Sequence, residues 1–240
     1  MNDVHHLRGE ESLGLESVTR ARAVSAATEV YSALRELIIS LALVPGTVLS
    51  RAELSERFGV SQTPIRDALM RLEAERLVDV FPQSATVVTT IDIEMAKQAH
   101  FLRRALEAEI VGLLADARND RLIDDLNALI QRQEADIASG DLEDFSKADS
   151  DMHACMFEAA DVPDLLALVR SRSGHIDRLR RLHLMTPGQA QRILDDHRRI
   201  IAAIDAGDPD LARTALRQHL SGTLAEAVNI KAQFPAYFSE

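Results

Sequence analysis

Hydrophobic and polar residues repeat with two different periods in the first part of the chain. Apolar positions recur at helical spacing over three segments separated by turn residues, namely Thr28–Leu41, Arg51–Phe58 and Ser61–Leu72. Residues 77–90 are instead rich in the strand formers Val and Thr, and Pro82–Ala85 divides them as a turn. Three helices followed by a two-stranded ribbon predict a winged helix-turn-helix.

The pattern becomes purely helical after Thr90. Breaks that contain Gly, Pro, Asn or Asp separate six predicted helices, near residues 93–118, 120–139, 142–160, 163–185, 188–206 and 208–231. Short turns between such helices are typical of an all-α bundle with antiparallel neighbours. The predicted fold is therefore mainly α. Its parts are a flexible arm (1–25), a winged helix-turn-helix (26–90), an all-helical domain (91–232) and a C-terminal tail (233–240).

The helix that follows Ser61 carries residues suited to reading DNA. Ser61 is predicted to be its N-cap, with a hydroxyl that accepts a backbone N–H. Pro64 falls in the first turn, where it removes no intrahelical hydrogen bond. The apolar residues of this helix bury one face, which leaves Gln62, Thr63 and Arg66 on the other, able to reach base edges or phosphates.

Charge and composition narrow this interpretation. The formal net charge is −11, but residues 20–80 contain eight Arg and eight acidic residues and are about neutral. DNA binding must therefore depend on a local group of arginines. We find no bilayer-spanning apolar segment and no signal peptide, and the single cysteine, Cys155, excludes an intramolecular disulfide. We expect a cytoplasmic protein with no membrane partner.

Three histidines and one aspartate fall on the apolar faces of the predicted bundle. Asp149 and His153 are one turn apart on one helix, and His197 and His219 lie on two others. Burying such groups unpaired costs about 2–7 kcal/mol each, and a divalent cation is the simplest common partner. Three His and one carboxylate suit Zn, Ni, Mn or Fe, with Zn the first choice. For any single histidine, the alternative is a core residue bonded to a backbone carbonyl.

Three further basic residues are predicted to face the interior: Arg103, Arg172 and His175. A guanidinium beside a metal suits a bidentate grip on a small carboxylate. For Arg103, the alternative is an internal ion pair with Glu107 on the same helix. Arg180 is expected to be partly solvated, as are Arg181 and His183.

Several short motifs in both halves of the chain form one recognisable combination. They are Pro45-Gly46, Leu54-Ser55-Glu56, Gly59–Leu69 and Arg71-Leu72-Glu73 in the first half, and Arg103 with Leu106-Glu107, Asp149 with His153, Asp196-His197 with Ile200, and Gly207-Asp208 with Ala212, Ala215 and His219-Leu220 in the second. Over about residues 28–230, the chain resembles the GntR family of bacterial transcription regulators, in its FadR branch with a C-terminal FCD domain. With six predicted helices, the second half looks like the shorter VanR-type members.

The resemblance implies a homodimer that binds a pseudo-palindromic operator, with the recognition helix at the major groove and the wing tip at the minor groove. The implied operator contacts are Ser61, Gln62, Thr63 and Arg66, with Arg51 or Ala52. The implied metal ligands are Asp149, His153, His197 and His219, and Arg103 matches an arginine beside the effector pocket.

The chain departs from the family pattern at three places. Gln62 stands where relatives often carry Arg, and Gln pairs with adenine whereas Arg prefers guanine. The wing tip, Gln83-Ser84-Ala85, has neither the basic residues nor the glycine usual there. Arg76 replaces a common glycine, where a left-handed backbone is strained for arginine.

Three hypotheses of function follow. The leading one is a metal-containing regulator, a repressor rather than an enzyme, that a small carboxylate effector modulates by binding at the metal. The second is a metal-dependent hydrolase or lyase, which lacks a clear free general base and has no use for the first half of the chain. In the third, the metal of the regulator is purely structural.

Overall fold

The computed structural model describes residues 10–81 and 85–239, and of residues 10–24 the backbone alone. The chain divides into two compact units. The first contains the residues up to Ile38 together with Ala42–Thr89, and the second contains Ile39–Leu41 and the chain from Thr90 onward.

The first unit is a three-helix domain with a small antiparallel sheet. Its elements are α1 (Glu10–Ile39), β1 (Val48–Leu49), α2 (Arg51–Phe58), α3 (Gln62–Ala74), β2 (Val78–Val80) and β3 (Thr86–Val88). The strand order is β1-β3-β2, with Val48 opposite Val87 and Val78 opposite Val88. The predicted winged helix-turn-helix is confirmed, with a third strand that the pattern did not indicate because two residues are too few to show a period.

The core of the first unit joins the three helices to the sheet. Val30, Leu34 and Ile38 of α1 are buried, as are Ile65, Leu69 and Leu72 of α3. The α2–α3 turn depends on Gly59, whose φ of 64° is left-handed and suits a residue without Cβ. The predicted tip residues Pro82, Gln83 and Ser84 lie outside the described residues.

The start of α1 differs from the prediction of an irregular arm over residues 1–25. The helix begins at Glu10, and residues 1–9 lie outside the described part of the chain. The segment is rich in Ala, Glu and Arg, which are strong helix formers even where no apolar stripe marks a buried face. Helix propensity, rather than hydrophobic pattern, is the signal there.

The second unit is all-helical in its described residues. Its helices are α4 (Ile93–Asp116), α5 (Asp120–Ser139), α6 (Leu142–Ala159), α7 (Pro163–Arg172), α8 (Gly174–Leu184), α9 (Gln189–Asp205), α10 (Pro209–Ala225) and α11 (Ala227–Gln233), with a 3₁₀ turn over Pro235–Tyr237. In the core, α10 packs on α4 and α9, and α5 packs on α6 and α9. The helical bundle is confirmed.

The predicted count of six helices is wrong, because two predicted segments are each divided. Residues 163–185 break at Ser173, whose hydroxyl bonds the Arg170 carbonyl at 3.2 Å, next to the poor helix former Gly174. Residues 208–231 break at Glu226. In the described part of the chain, the second unit therefore has eight α-helices.

The predicted C-terminal tail packs onto the second unit. The Ile91 amide donates to the Tyr237 carbonyl at 2.8 Å, and Phe238 is buried with Ile91, Leu179 and other apolar side chains. Among the helices described, none combines the length and hydropathy that a bilayer crossing requires.

Candidate metal centre and DNA-binding helix

The second helix of the helix-turn-helix presents the predicted DNA-reading residues to solvent. All of them are exposed: Arg51 at the start of α2, Ser61 before α3, and Gln62, Thr63 and Arg66 on α3. Pro64 and the apolar residues of α3 are buried on the opposite face. Ser61 is the N-cap in extended conformation, as predicted, but its hydroxyl accepts no capping N–H from the described backbone. The predicted capping bond is therefore wrong.

A polar cluster holds the C-terminal end of α3 to α1. Glu75 accepts a hydrogen bond from the Tyr31 hydroxyl and one from Arg35 Nε at 2.9 Å. The Arg71 guanidinium lies 3.8 Å from the centre of the Tyr31 ring. Burial, followed by the bond to Glu75, raises the pKa of Tyr31 to about 12. No periodicity links these residues, so the sequence did not reveal them.

Three helices bring the predicted metal ligands together. Asp149 and His153 project from α6, His197 from α9 and His219 from α10, and all four are buried. One candidate ligand atom from each lies within 4.8 Å of the others. The Nε2 atoms of His153 and His219 are 3.3 Å apart, and His197 Nε2 is 3.4 Å from Asp149 Oδ1.

Each of these side chains has a polar neighbour on its outer side. The contacts are Glu107 Oε2 to His153 Nδ1 at 2.7 Å, Gln133 Oε1 to His197 Nδ1 at 2.8 Å, Asp196 Oδ2 to His219 Nδ1 at 3.7 Å, and Arg180 Nη2 to Asp149 Oδ2 at 2.7 Å. Such partners direct the second ring nitrogen of a ligating histidine. The Glu107 contact has a hydrogen-bond length but not a hydrogen-bond angle, and the Asp196 contact is too long for a hydrogen bond.

The surroundings favour the neutral forms of His153 and His219 and the ionised form of Asp149, which are the forms that bind a metal. Burial lowers the pKa of His153 and, with the charge of His197, lowers that of His219 to about 3. Burial alone would raise the pKa of Asp149, but the Arg180 guanidinium and the nearby histidines hold it well below its usual range. Burial is opposed in the same way at Glu107, where Arg103 and His153 lower the pKa.

Two buried atoms show that the cluster suits a cation. Asp149 Oδ1 and His197 Nε2 have no hydrogen-bond partner among the described residues. An ionised carboxylate oxygen and three imidazoles converge here, and they lack the N–H donors to hydrogen-bond with one another. Such a donor set is of the kind that holds zinc. The residues present therefore fit a divalent metal ion.

A cavity of about 40 Å³ adjoins this cluster. Its polar lining consists of His100, Arg103, Arg180, Gln189, Asp196, His219 and Thr223, and its apolar lining includes Ile176, Ile193 and Leu220. At the volume that one buried water usually needs, the cavity has room for about three water molecules. One candidate metal ligand, His219, and two guanidinium groups, those of Arg103 and Arg180, therefore line the same cavity.

The predicted contacts of a small carboxylate are found only in part. Arg103 lines the cavity, and it also forms the predicted alternative, an ion pair with Glu107. Arg172 is exposed, and His175 is buried with its Nδ1 3.0 Å from the Asp92 amide, so neither lines the cavity. The break at Ser173 changes the helical register on which both predictions depended.

Sequence reasoning missed several residues around the cluster. Arg180, expected to be partly solvated, lines the cavity and bonds Asp149, with its side chain 24% exposed. Gln133 is fully buried on the apolar face of α5, three residues after Ile130. The position of Gln133 on an apolar stripe is a sequence signal that could have identified it. Asp196 is half-buried, although it was expected to lie off the inward stripe.

Comparison with known proteins identifies both units. Residues 26–88 match the profile of "Bacterial regulatory proteins, gntR family", and residues 98–222 match the FCD domain. A Streptomyces ambofaciens protein described as an "HTH-type transcriptional regulator in unstable DNA locus" is 33% identical over 88% of this chain and 89% of its own. The "HTH-type transcriptional repressor RspR" of Escherichia coli is 26% identical over 88% and 93%.

The solved structures agree on the fold. The McbR/YncC protein of E. coli has a TM-score of 0.75 at 22% identity, covering 86% of this chain and 98% of its own. The two matching profiles, each on one of the two units, account for the winged helix-turn-helix and for the helical bundle. The chain is therefore a member of the gntR family of bacterial transcriptional regulators that carries an FCD domain.

Proposed function

We propose that this protein is a homodimeric repressor whose affinity for operator DNA is set by a metal-bound small carboxylate. The observation that carries the proposal is the convergence of Asp149, His153, His197 and His219 beside a cavity lined by two arginines. A regulator needs a site that recognises a signal and a surface that reads DNA. The second unit has the features of a signal-binding site, and α3 of the first unit has the features of a DNA-reading surface.

DNA recognition is proposed for the N-terminal end of α3 and the start of α2. Backbone N–H groups at the start of a helix attract phosphate, and the exposed Ser61 hydroxyl and Arg51 add to that surface. Gln62 and Thr63 follow in the first turn, and Gln can pair with adenine through two hydrogen bonds. The Arg66 side chain is 61% exposed, with a contact of 3.5 Å to Asp67, and so is available to DNA.

A dimer explains how so few contacts would specify an operator. Two copies of α3 reading two half-sites would double the recognised sequence and make it pseudo-palindromic. Large apolar side chains are exposed on the second unit, namely Phe101, Leu113, Leu168, Met185, Leu211 and Val228. Exposed apolar surface of this kind supports association between copies.

Effector binding is proposed for the cavity. When bound, a Zn²⁺, Ni²⁺, Mn²⁺ or Fe²⁺ ion supplies a Lewis-acidic position for a carboxylate oxygen. Arg103 and Arg180 provide planar N–H forks that suit the same carboxylate. Ile176, Ile193 and Leu220 would contact the apolar part of the ligand. A ligand of several carbon atoms requires the cavity to widen, and this movement is the change that would reach the DNA-binding unit.

The DNA-reading surface is tested by substitution after an operator has been selected from random duplexes. We expect Arg66→Ala to weaken operator binding by roughly 5–150-fold, the effect of about 1–3 kcal/mol from one base-reading side chain. Gln62→Ala should relax the preference at one base pair. Arg104→Ala removes the same charge from an exposed position of α4 and serves as the control. Equal affinity of Arg66→Ala, Gln62→Ala and wild type, at fixed salt, would contradict this assignment.

The effector role is tested with metal-loaded protein and a panel of small carboxylic acids. An acid that binds at the metal should change the visible spectrum of the Co²⁺-substituted protein and also shift operator affinity. A purely structural metal predicts neither change, and it predicts that chelation unfolds the second unit. If acids alter the spectrum without altering operator affinity, binding occurs but the regulatory mechanism is wrong.

A further inference from the structure

Glu107 lies between the cavity and the candidate metal ligands. It belongs to α4, and its side chain is 1% exposed. One carboxylate oxygen, Oε1, accepts a bond from Arg103 Nε at 2.5 Å, and the other, Oε2, lies 2.7 Å from His153 Nδ1. One buried carboxylate therefore contacts Arg103 through one oxygen and His153 through the other.

These two neighbours have different tasks. Arg103 lines the cavity, whereas His153 belongs to the metal cluster. A carboxylate 2.7 Å from Nδ1 favours the tautomer that leaves Nε2 free to ligate and increases the basicity of the ring, which strengthens metal binding. A guanidinium bonded to the same carboxylate draws its negative charge away from the histidine and so weakens that support.

We propose that Glu107 is a positioning residue that couples the cavity to the metal. Glu107 increases the affinity of His153 for the metal, and Arg103 reduces this effect. An anion that binds Arg103 from the cavity would neutralise this opposing charge and strengthen the metal site. Because coupling between two ligands is reciprocal, the metal would strengthen binding of the anion to the same extent. This inference rests on the proposed metal site and adds a direction to its regulation.

The geometry predicts opposite effects for the two partners. In Arg103→Met, the Glu107 carboxylate loses its cationic partner, and a dication at the cluster becomes its remaining compensation. Metal binding then relieves a buried charge that was costly without the metal, so affinity for the metal rises. In Glu107→Gln, the charge behind His153 is lost and affinity for the metal falls. A merely structural role for both residues would lower affinity in both variants.

The test measures Zn²⁺ affinity of the full chain by competition with a chromophoric chelator. We expect Glu107→Gln to weaken binding by about 10–100-fold. Arg103→Met should tighten it by about fivefold or more. The double variant should match Glu107→Gln, because Arg103 acts through Glu107. Arg104→Met, one residue away and exposed, is the matched control and should leave the affinity unchanged.

Three results would overturn the proposal: weaker or unchanged Zn²⁺ binding in Arg103→Met, unchanged binding in Glu107→Gln, or tighter binding by the double variant than by Glu107→Gln. Circular dichroism checks that each variant is folded, and Arg103→Gln replaces Arg103→Met if the latter is not. If wild type itself binds no Zn²⁺, the proposed metal site is wrong and the coupling falls with it. Binding by wild type with the wrong direction in Arg103→Met refutes the coupling alone.

Discussion

Arg76 has a backbone conformation that disfavours any side chain. Its φ is 59°, in the left-handed region, where the Cβ atom costs about 1–2 kcal/mol. Its carbonyl accepts a hydrogen bond from the Thr89 hydroxyl at 2.7 Å, which ties the segment after α3 to the end of the wing. The sequence indicated this position, because relatives commonly place glycine there.

Glycine at this position should therefore stabilise the first unit. We expect Arg76→Gly to raise its free energy of unfolding by up to about 1 kcal/mol, since relief of the strain exceeds the entropy that glycine adds to the unfolded chain. Arg76→Ala keeps the Cβ atom and is the matched control, with little gain. Chemical denaturation measures both, and equal stability of the two variants would show that the strain is negligible.

Tyr31 should make the stability of the first unit sensitive to alkaline pH. Its pKa is raised from 10.0 to about 12 in the fold, so the folded form holds the phenol proton more tightly than the unfolded form. This contribution is complete below pH 10 and is lost as the pH rises toward about 12. In Tyr31→Phe, that loss should be absent between the two pH values. Phenolate absorbance that shows Tyr31 ionising near pH 10 would contradict the prediction.

At the scale of elements, α6 decides the geometry of the candidate metal-ligand cluster. It supplies both Asp149 and His153, and Phe145, Met152 and Met156 on the same helix are fully buried. Its start is fixed by Asp141, whose carboxylate accepts from the amides of Glu143 and Asp144 at 3.1 and 2.9 Å. A helix anchored by its cap and by its apolar face holds the two ligands one turn apart.

Removing the cap of α6 should destabilise the second unit. We expect Asp141→Ala to cost about 1 kcal/mol in unfolding free energy, because two amides of the first turn lose their acceptor. Glu158→Ala removes a carboxylate from the exposed other end of α6 and should change stability by less than about 0.5 kcal/mol. Denaturant unfolding compares them. A loss no greater in Asp141→Ala than in Glu158→Ala would contradict the role of the cap.

The elements also show how far the sequence predicts the site. Asp149, His153, His197 and His219 were found because each interrupts the apolar stripe of its own helix, which is local information. Arg180 was missed because its role depends on which helices are neighbours. Residues 163–185 were predicted as one helix because apolar residues continue on both sides of Ser173. Arg172, predicted to face the interior, is exposed, whereas His175 is buried as predicted but lies away from the cavity.

At the scale of the whole molecule, the proposed DNA-reading residues and the candidate metal ligands lie in different units. The net charge of −11 conceals a nearly neutral DNA-binding segment, so specific contacts rather than general attraction must select DNA. The covalent chain passes between the units near residues 38–42 and 89–90. Just after the second crossing, α8 holds the chain: Arg178 donates to the Thr90 carbonyl at 3.3 Å, and His175 accepts from Asp92. From the same helix, Arg180 donates a hydrogen bond to the candidate metal ligand Asp149.

The most direct test of the account is the operator affinity of metal-free and Zn²⁺-loaded protein at one fixed salt concentration, measured by fluorescence anisotropy. The operator affinity of wild type should differ by about fivefold or more between the metal-free and Zn²⁺-loaded states. The operator affinity of His197→Ala, which lacks one candidate ligand, should be the same in both. His183→Asn is the control, since His183, which was wrongly predicted to be partly solvated, is a buried histidine outside the ligand set. Equal affinity of metal-free and Zn²⁺-loaded wild type would contradict the claim that the cluster controls DNA binding.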